Sequence, residues 1–289
     1  MLSRQSKTLD EAVGEYERRY GRRPPLGFDQ WYSLAVENEF VLIDEFDTLM
    51  ESLEPFHGVH PSILEQRITQ VLESDAHRMV VMEFANGNVT ISDNMRETGE
   101  KLTNKAWLGI VPYNMTVVLN EFDEPMVSAP FEEVVQAVYT AKHHEWHTMA
   151  QKPDQTIASP IVETGEQSGW AATAHACPKD SASRQPEYSQ RELITQLSFV
   201  SNITSSKDVC QNCELLQQEG ILLSPKDMRL VRQLVPVWSA SKPSHFHDIL
   251  YPSAYYNGIR LLYELEKDLA WKDKEQVLLG WRRHGRPGE

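Results

Sequence analysis

The chain of 289 residues lacks the features that place a protein in a membrane or on nucleic acid. No apolar run approaches the ~20 residues that a helix needs to cross a bilayer, and residues 1–7 are too polar for a secretory signal peptide. Basic side chains are outnumbered by acidic ones, 28 to 42, which gives a formal net charge of -14. Because such a surface repels phosphate backbones, we expect no nucleic-acid partner and no transmembrane segment.

Motifs of common nucleotide- and ester-processing enzymes are missing as well. The chain has no P-loop, no glycine-rich dinucleotide turn and no Gly-x-Ser-x-Gly elbow. Nucleotide kinases and hydrolases therefore lose their usual sequence support. With 40% hydrophobic and 24% charged residues, the composition is that of a globular protein with a sizeable core.

Cysteine is scarce, with three residues in the chain. Cys210 and Cys213 have the CxxC spacing of zinc and redox sites. A structural zinc site usually needs four ligands, and His175 and Cys177 are the only candidates to complete one. In an oxidising compartment, one disulfide from Cys177 to Cys210 or Cys213 would leave a free thiol.

Three Asn-x-Thr sequons are typical of chains that pass through a secretory lumen, and they begin at Asn88, Asn114 and Asn202. The polar N-terminus, by contrast, is typical of a cytosolic protein. A chain without its leader or anchor would account for both observations.

The spacing of apolar residues predicts a helical N-terminal region over residues 1–75. Helical periodicity covers residues 9–20, and Asp29 is a candidate N-cap for a second helix. Residues 41–50 are amphipathic, and Pro61 is placed to begin a further helix.

After this region the pattern changes to β-structure. Residues 79–84 and 88–91 flank an Asn-Gly turn and predict a hairpin, and the apolar run at 115–120 is typical of a central parallel strand. We expect an α/β domain over residues 76–260 with a loop-rich insertion at about 151–190. Further helices are predicted at 135–142, 191–200, 210–220 and 255–267, a strand or helix end at 107–111, and a new strand at 277–279.

The most informative stretch is an apolar run at 235–238 that gives way to serines, a lysine and two histidines. It predicts a buried strand that ends in a polar loop, where a rigid fold presents ligand-binding groups. Its serines offer hydrogen bonds to a hydroxyl-rich ligand and its lysine offers a positive charge; they are Ser239, Ser241, Ser244 and Lys242. The alternative is a capped turn followed by a helix, with Ser244 or Asp248 as the cap.

A second polar segment follows the predicted strand at 115–120. A carboxylate that follows the end of a parallel strand, here Asp123, is well placed to act as a general base. The alternative role of Asp123 is that of a turn or cap residue.

Two histidine pairs are candidates for other chemistry. His143 and His147 have the spacing of metal ligands on a helix, but glutamate does not directly follow the first histidine and no third ligand is evident nearby. A solvated helix end is the favoured interpretation, and a metal protein is a weaker alternative. His245 and His247 are expected to orient their loop by hydrogen bonds.

Six stretches carry a resemblance to a known family, in the family's order and over most of the chain: residues 20–31 (YGRRPPLGFDQW), 43–47 (IDEFD), 120–125 (NEFDEP), 209–225, 236–242 (PVWSASK) and 248–252 (DILYP). In these stretches the chain resembles the capsule-associated and protein O-glucosyltransferase family, and its fungal branch in particular. The resemblance implies an α/β fold of the GT-B type, with two Rossmann-like domains that face each other across a cleft.

The implied activity is transfer of glucose or xylose from a UDP-sugar to a hydroxyl of a protein or glycan acceptor, with inversion. It implies no metal or other cofactor and a location in the lumen of the Golgi or endoplasmic reticulum. Asp123 matches the family's catalytic base. The wall of the cleft is matched by the loop at 239–244 and by residues 248–256, including Asp248 and Tyr255.

Near the C-terminus, Trp281 and Arg282 match a Trp-Arg-Gly-Ser motif whose arginine meets the donor diphosphate, although Arg283 replaces the glycine and the serine is missing. Because the family continues beyond this point, residues 261–289 are expected to begin a donor-binding domain that is largely missing. We therefore expect a truncated transferase that is inactive alone. The alternative is a truncated, non-catalytic homologue that acts as a binding or interaction protein.

Overall fold

The computed structural model describes residues 4–74, 79–86, 88–92, 114–120, 124–143, 161–163, 169–184, 206–212, 215 and 229–250. All of them belong to one compact unit, Met1–Tyr251. In this part of the chain the fold is mixed α/β, with six α-helices, a mixed sheet of five strands and a separate pair of strands. Every helix in these ranges is too short or too polar to cross a bilayer.

The described helices are α1 (Leu9–Tyr20), α2 (Phe28–Glu37), α3 (Asp47–Leu53), α4 (Pro61–Leu72), α5 (Phe131–His143) and α6 (Gly169–Thr173). The strands are β1 (Met79–Ala85), β2 (Asn88–Ile91), β3 (Met115–Asn120), β4 (Ile161–Glu163), β5 (Arg229–Val231), β6 (Val237–Ser239) and β7 (Ile249–Leu250). Short 3₁₀-helices span Glu54–Gly58, Ala174–Ala176 and Ala182–Arg184.

Helix α1 has the bounds that its periodicity predicts, because both of its ends are capped. At its N-terminus Thr8 and Glu11 form a capping box, in which each side chain accepts the other residue's backbone N–H at 3.3 Å. Gly21 ends the helix with a left-handed φ of 64°. Helix α4 likewise begins at Pro61, as predicted.

Helix α2 begins two residues earlier than predicted. Its N-cap is Gly27, which has a left-handed φ of 85°, and Asp29 already lies in the first turn. Glycine adopts this conformation without steric cost, so the chain can enter the helix before the aspartate.

The amphipathic run at 41–50 is helical only from Asp47 onward. Before that residue, the backbone N–H groups of Ile43 and Asp44 donate to Oε1 of Gln5 at 2.8 and 2.9 Å. A side chain distant in sequence thus takes the place of helical hydrogen bonds, which periodicity cannot reveal.

The five-stranded sheet has the order β2-β1-β3-β6-β7. Strands β1 and β2 form the predicted hairpin, and Asn86 takes a left-handed φ of 52° in its turn. Strand β3 is central, as its apolar sequence predicts, but it pairs antiparallel with β1 and parallel with β6. Strand β7 extends the parallel part. The sheet is therefore mixed, because the hairpin continues it on one side of β3.

Strand β6 ends in the predicted polar loop, residues 240–248, which we call the strand-end loop. The alternative of a helix after this loop is wrong, because β7 follows directly and pairs with β6. One core cluster packs Val118 of β3 and Val237 of β6 with Val71 of α4. A second cluster joins Ala137 of α5 to Ile249 of β7.

The loop-rich segment at 151–190 contains strand β4, helix α6 and two 3₁₀-helices in its described parts. Strand β4 pairs antiparallel with β5. A disulfide joins Cys177 to Cys210, one of the two pairings left open by the sequence, and removes both thiolates from any zinc site. Residues 210–212 form turns, so the predicted helix does not begin at Cys210.

Other predicted elements lie outside the described residues: those at 107–111, 191–200, 255–267 and 277–279.

Candidate functional site

Three parallel strands end at the same edge of the sheet. Strands β3, β6 and β7 run in one direction, and their last residues are Asn120, Ser239 and Leu250. The carboxyl ends of parallel strands are where α/β folds commonly bind ligands, because the loops that leave them can carry polar groups. The two polar segments identified in the sequence, 120–125 and 239–244, both leave from this edge.

Hydrogen bonds connect these strand ends. Asn120 Nδ2 donates to Ser239 Oγ at 3.2 Å, and Ser239 Oγ donates to Asp248 Oδ1 at 2.6 Å. Asn120 Nδ2 also donates to the carbonyl oxygen of Glu124 at 2.6 Å. The residues on either side of segment 121–123 are therefore tied to each other at the strand edge.

Asp248 is a charged residue with none of its surface exposed (0%). Besides the Ser239 hydroxyl, it accepts the backbone N–H groups of Met126 and Val127, one on each carboxylate oxygen and both at 2.9 Å. Burial raises the pKa of Asp248, while these hydrogen bonds and the charge of Lys242 oppose the shift. The resemblance assigns Asp248 to a cleft wall. In the structure its side chain ties three backbone segments together inside the protein.

Lys242 lies partly buried in the strand-end loop. Burial lowers the pKa of its ammonium group, and the carboxylates of Asp248 and Glu51 oppose the shift. Its ammonium makes no salt bridge with another described residue. A partly buried ammonium that no described carboxylate pairs with can receive an anionic group of a ligand.

The two serines on the surface of the strand-end loop are Ser241 and Ser244. Ser244 Oγ donates to Asp208 Oδ1 and accepts the backbone N–H of Val209, both at 3.2 Å. Because Val209 precedes Cys210, Ser244 ties the loop to the disulfide-bonded segment. Its hydroxyl is therefore engaged within the protein.

His245 is held in a buried position by a hydroxyl and by aromatic rings. The Thr173 hydroxyl donates its proton to the carbonyl oxygen of Gly169 at 2.7 Å. Its own oxygen, Oγ1, therefore accepts from His245 Nε2 at 3.0 Å. The ring centroid of Trp170 lies 5.6 Å from that of the imidazole, and the ring of Phe246 packs edge-on at 4.8 Å. These contacts fix the centre of the strand-end loop.

Two further histidines lie close to the same segment. His175 Nε2 donates to the carbonyl oxygen of Ser128 at 2.6 Å. The backbone N–H of His247 donates to the carbonyl oxygen of Val127 at 2.7 Å. Burial lowers the pKa of His245 to about 3 and that of His247 to about 4. The Nδ1 atoms of His245 and His247 are buried and lack a hydrogen-bond partner in the described part of the chain.

We expect the protein to lose stability as the pH falls below about 6.5, the ordinary pKa of histidine. The unfolded chain takes up protons in this range, whereas folded His245 and His247 stay neutral down to about pH 3 and 4. Protons therefore favour the unfolded state, by roughly 2 kcal/mol per histidine between pH 7 and pH 5. Urea unfolding at a series of pH values measures this slope.

His247→Gln should flatten the pH profile, whatever it does to the stability at pH 7. The control is His143→Gln, which replaces a histidine at the exposed end of α5, outside the strand-end loop. The raised pKa of Asp248 has the opposite effect on stability. As the pH falls, its carboxylate binds a proton at a higher pH in the folded protein than in the unfolded chain. If His247→Gln left the pH dependence of stability unchanged, the pKa of His247 would not be lowered in the folded protein.

A cleft of about 360 Å³ opens in the helical region; its lining residues are Arg19, Tyr20, Arg22, Asp47, Met50, Glu51, Glu54 and His57. Arg19 is already occupied, because its guanidinium contacts Glu15 and Glu45 at 3.0 Å. Glu51 also acts electrostatically on Lys242. Helix α3, which carries Glu51, contacts strand β7 at the end of the strand-end loop, so the cleft lies near this loop.

Several predicted site residues lie outside the described residues: Asp123, Tyr255, Trp281, Arg282 and His147. His143 is exposed, and its Nδ1 lies 2.8 Å from the carbonyl oxygen of Tyr139, as suits a solvated helix end. Over the described ranges, no group of three or more His, Cys, Asp or Glu residues is arranged to hold a metal ion.

Sequence reasoning missed two residues at this edge. Asn120 had a usable signal, because a polar amide stands at the end of an apolar run. In the structure this residue is buried, with 3% of its surface exposed. Glu51 had none, because its proximity to Lys242 arises from contact between α3 and β7. Comparison of the chain with protein-family models, curated proteins and solved structures finds no match.

Proposed function

We propose that this protein is an inverting glycosyltransferase that moves glucose or xylose from a UDP-sugar to an acceptor hydroxyl, within a Rossmann-like fold of the GT-B type. The observation that carries the proposal is the hydrogen bond from Asn120 to Ser239. It joins the ends of the two parallel strands that lead into the polar segments on which the family resemblance depends. Two segments distant in sequence thus leave the sheet side by side, as a shared substrate site requires.

Asp123 is the proposed general base. Its carboxylate would take the proton of the acceptor hydroxyl while that oxygen bonds to the anomeric carbon. The bond from this carbon to the diphosphate breaks on the opposite face, which releases UDP and inverts the configuration. By the family resemblance, Arg282, next to Trp281, would meet the charge of the leaving diphosphate, and Tyr255 would belong to the substrate site.

Lys242 is the proposed contact for an anionic part of the donor. Its ammonium group is partly buried and makes no salt bridge with another described residue, so a ligand anion would replace no described ion pair. Ser241 is exposed beside it. The cleft next to Glu51 offers space for an acceptor, with carboxylates that can accept hydrogen bonds from hydroxyl groups.

Calorimetric titration of the purified chain with UDP-glucose and UDP-xylose tests donor binding. We expect one of them to bind with micromolar affinity and Lys242→Met to weaken that binding. The matched control is Lys179→Met, because this exposed lysine pairs with Glu132 at 3.1 Å on another part of the surface. No heat with either donor would overturn the proposal for this chain.

Asp123→Asn is expected to lower sugar transfer by about 10²- to 10⁴-fold, the usual contribution of a general base, while donor affinity stays unchanged. The measurement is UDP release and product formation in a form of the protein that transfers sugar. Glu124→Gln is the control, because it removes an exposed carboxylate one residue away. Full activity in Asp123→Asn would show that another group takes the proton.

The second candidate function is that of a non-catalytic binding protein. It is favoured by exposed apolar side chains on both sides of helix α2, including Leu26 before it at 76% and Val41 after it at 63% exposure. Single exposed apolar residues are common, but several on one short stretch are typical of interaction surfaces. Absence of donor binding would favour this function over sugar transfer.

A further inference from the structure

We propose that Asn88 and Asn114 are N-glycosylation sites, and that their glycans stand together at the end of the five-stranded sheet opposite the candidate site. This inference does not depend on sugar transfer by the protein itself. It combines the Asn-x-Thr motifs with strand register, exposure and the disulfide.

Strand geometry places both sequons on the same face of the sheet. Successive side chains of a strand alternate between faces, so the Asn and Thr of one sequon, two residues apart, share a face. Thr90 and Thr116 both lie opposite Glu83 in the register of β1 with its two neighbours. Asn88 lies opposite Ala85. Asn114 precedes Met115, the partner of Phe84, and so reaches the same level of the sheet.

This face is open to solvent at the hairpin end. Asn88, Thr90, Asn114 and Thr116 are all exposed, and so is Glu83 between the two threonines. The other face is covered there, because Phe84, Val89 and Val117 pack with a buried hydrophobic cluster; the sequon side chains point away from it. The described hydrogen bond of the Asn88 amide, to the carbonyl oxygen of Asn86, is long at 3.5 Å. A glycan on either asparagine would therefore displace no packed side chain.

The two attachment points are close to each other and far from the candidate site. Strands β2 and β3 are separated by β1, which puts them about 10 Å apart. Asn114 stands at the amino end of β3, and Asn120 at its carboxyl end is about 20 Å away at the usual rise per residue. Glycans at the hairpin end would leave the strand-end loop accessible.

The disulfide supplies the independent evidence for the compartment. Cys177 and Cys210 are joined within a buried cluster that includes Val209. Structural disulfides form in oxidising compartments such as the lumen of the endoplasmic reticulum, where N-glycosylation also takes place. The reaction transfers an oligosaccharide from a lipid diphosphate to Asn Nδ2. The bond from the sugar to the diphosphate breaks, the amide loses one proton, and the lipid diphosphate leaves.

The test expresses the full chain behind a secretory leader in a eukaryotic host. The secreted protein is treated with peptide N-glycosidase in heavy-oxygen water, and its peptides are analysed by mass spectrometry. We expect Asn88 and Asn114 to be converted to labelled aspartate. The control is the same protein kept in heavy-oxygen water without the glycosidase, because Asn86 precedes Gly87 and an Asn-Gly pair deamidates spontaneously.

Variants separate glycan loss from misfolding. Asn88→Gln and Asn114→Gln should each remove one glycan, and Thr90→Val and Thr116→Val should do the same while both asparagines stay in place. Thr90→Ser should keep its glycan. Unlabelled Asn88 and Asn114 in the secreted, folded protein would overturn the proposal, and so would a free thiol at Cys177 in a non-reducing peptide map.

Discussion

Replacing Gly58 by alanine is expected to lower the free energy of unfolding by about 3 kcal/mol or more. A Cβ atom on this residue would lie 2.5 Å from the carbonyl carbon of Ala137 and closer still to its oxygen. Both atoms belong to the backbone of helix α5, so no side-chain rotation relieves the contact. Gly58 ends the 3₁₀-helix Glu54–Gly58, and the substitution would push this segment away from α5.

The backbone conformation of Gly58 does not itself require glycine, since the positive-φ glycines of the described chain are Gly21 and Gly27. The expected loss therefore comes from the close approach, and it exceeds the gain of up to about 1 kcal/mol that alanine makes by restricting the unfolded chain. Gly14→Ala is the matched control. Gly14 lies inside α1, and a Cβ atom there would have no neighbour within 4 Å, so alanine should stabilise by about 0.5 to 1 kcal/mol.

Urea unfolding at pH 7 measures both glycine variants. The midpoints should move in opposite directions while the dependence on urea stays the same. If Gly58→Ala proved as stable as the parent protein, helix α5 could not lie against the 3₁₀-helix as the structure has it.

Local sequence signals predicted the elements whose ends are fixed by capping or turn residues next to them. Helix α1 was predictable from residues 9–20 because its capping box lies next to the periodic run. The β1–β2 hairpin was predictable because an Asn-Gly pair separates two apolar runs. In both cases the interactions that fix the element are formed by residues within or beside it.

Non-local contacts were not predictable in the same way. The start of α3 depends on Gln5, which is distant in the sequence. Its side-chain oxygen accepts the backbone N–H groups of residues 43 and 44. The mixed character of the sheet depends on which strands lie beside β3, and an apolar strand shows no difference between a parallel and an antiparallel neighbour.

The candidate site shows the same division. The position of the strand-end loop followed from the change between apolar and polar residues, which is a local pattern. The role of Asp248 did not, because an aspartate in a polar loop is usually solvated or caps a turn. Only the fold brings the backbone of Met126 and Val127 against its carboxylate.

Asp248→Asn is therefore expected to lower the free energy of unfolding by about 3 kcal/mol. Each carboxylate oxygen accepts a different backbone N–H, from Met126 and from Val127. An asparagine side chain has one acceptor oxygen, so its amide group would face one of these donors and leave it without a partner in the interior. Relief of the burial cost that raises the pKa of Asp248 offsets part of this loss.

Ser239→Ala is the matched control for Asp248→Asn, because it removes one donor to the same carboxylate and leaves both backbone N–H groups satisfied. Its expected cost is about 1 kcal/mol. The double variant should cost less than the sum of the two single ones, since the hydroxyl and the carboxylate act on each other. Additive losses, or a neutral Asp248→Asn, would show that the carboxylate does not hold the strand ends together.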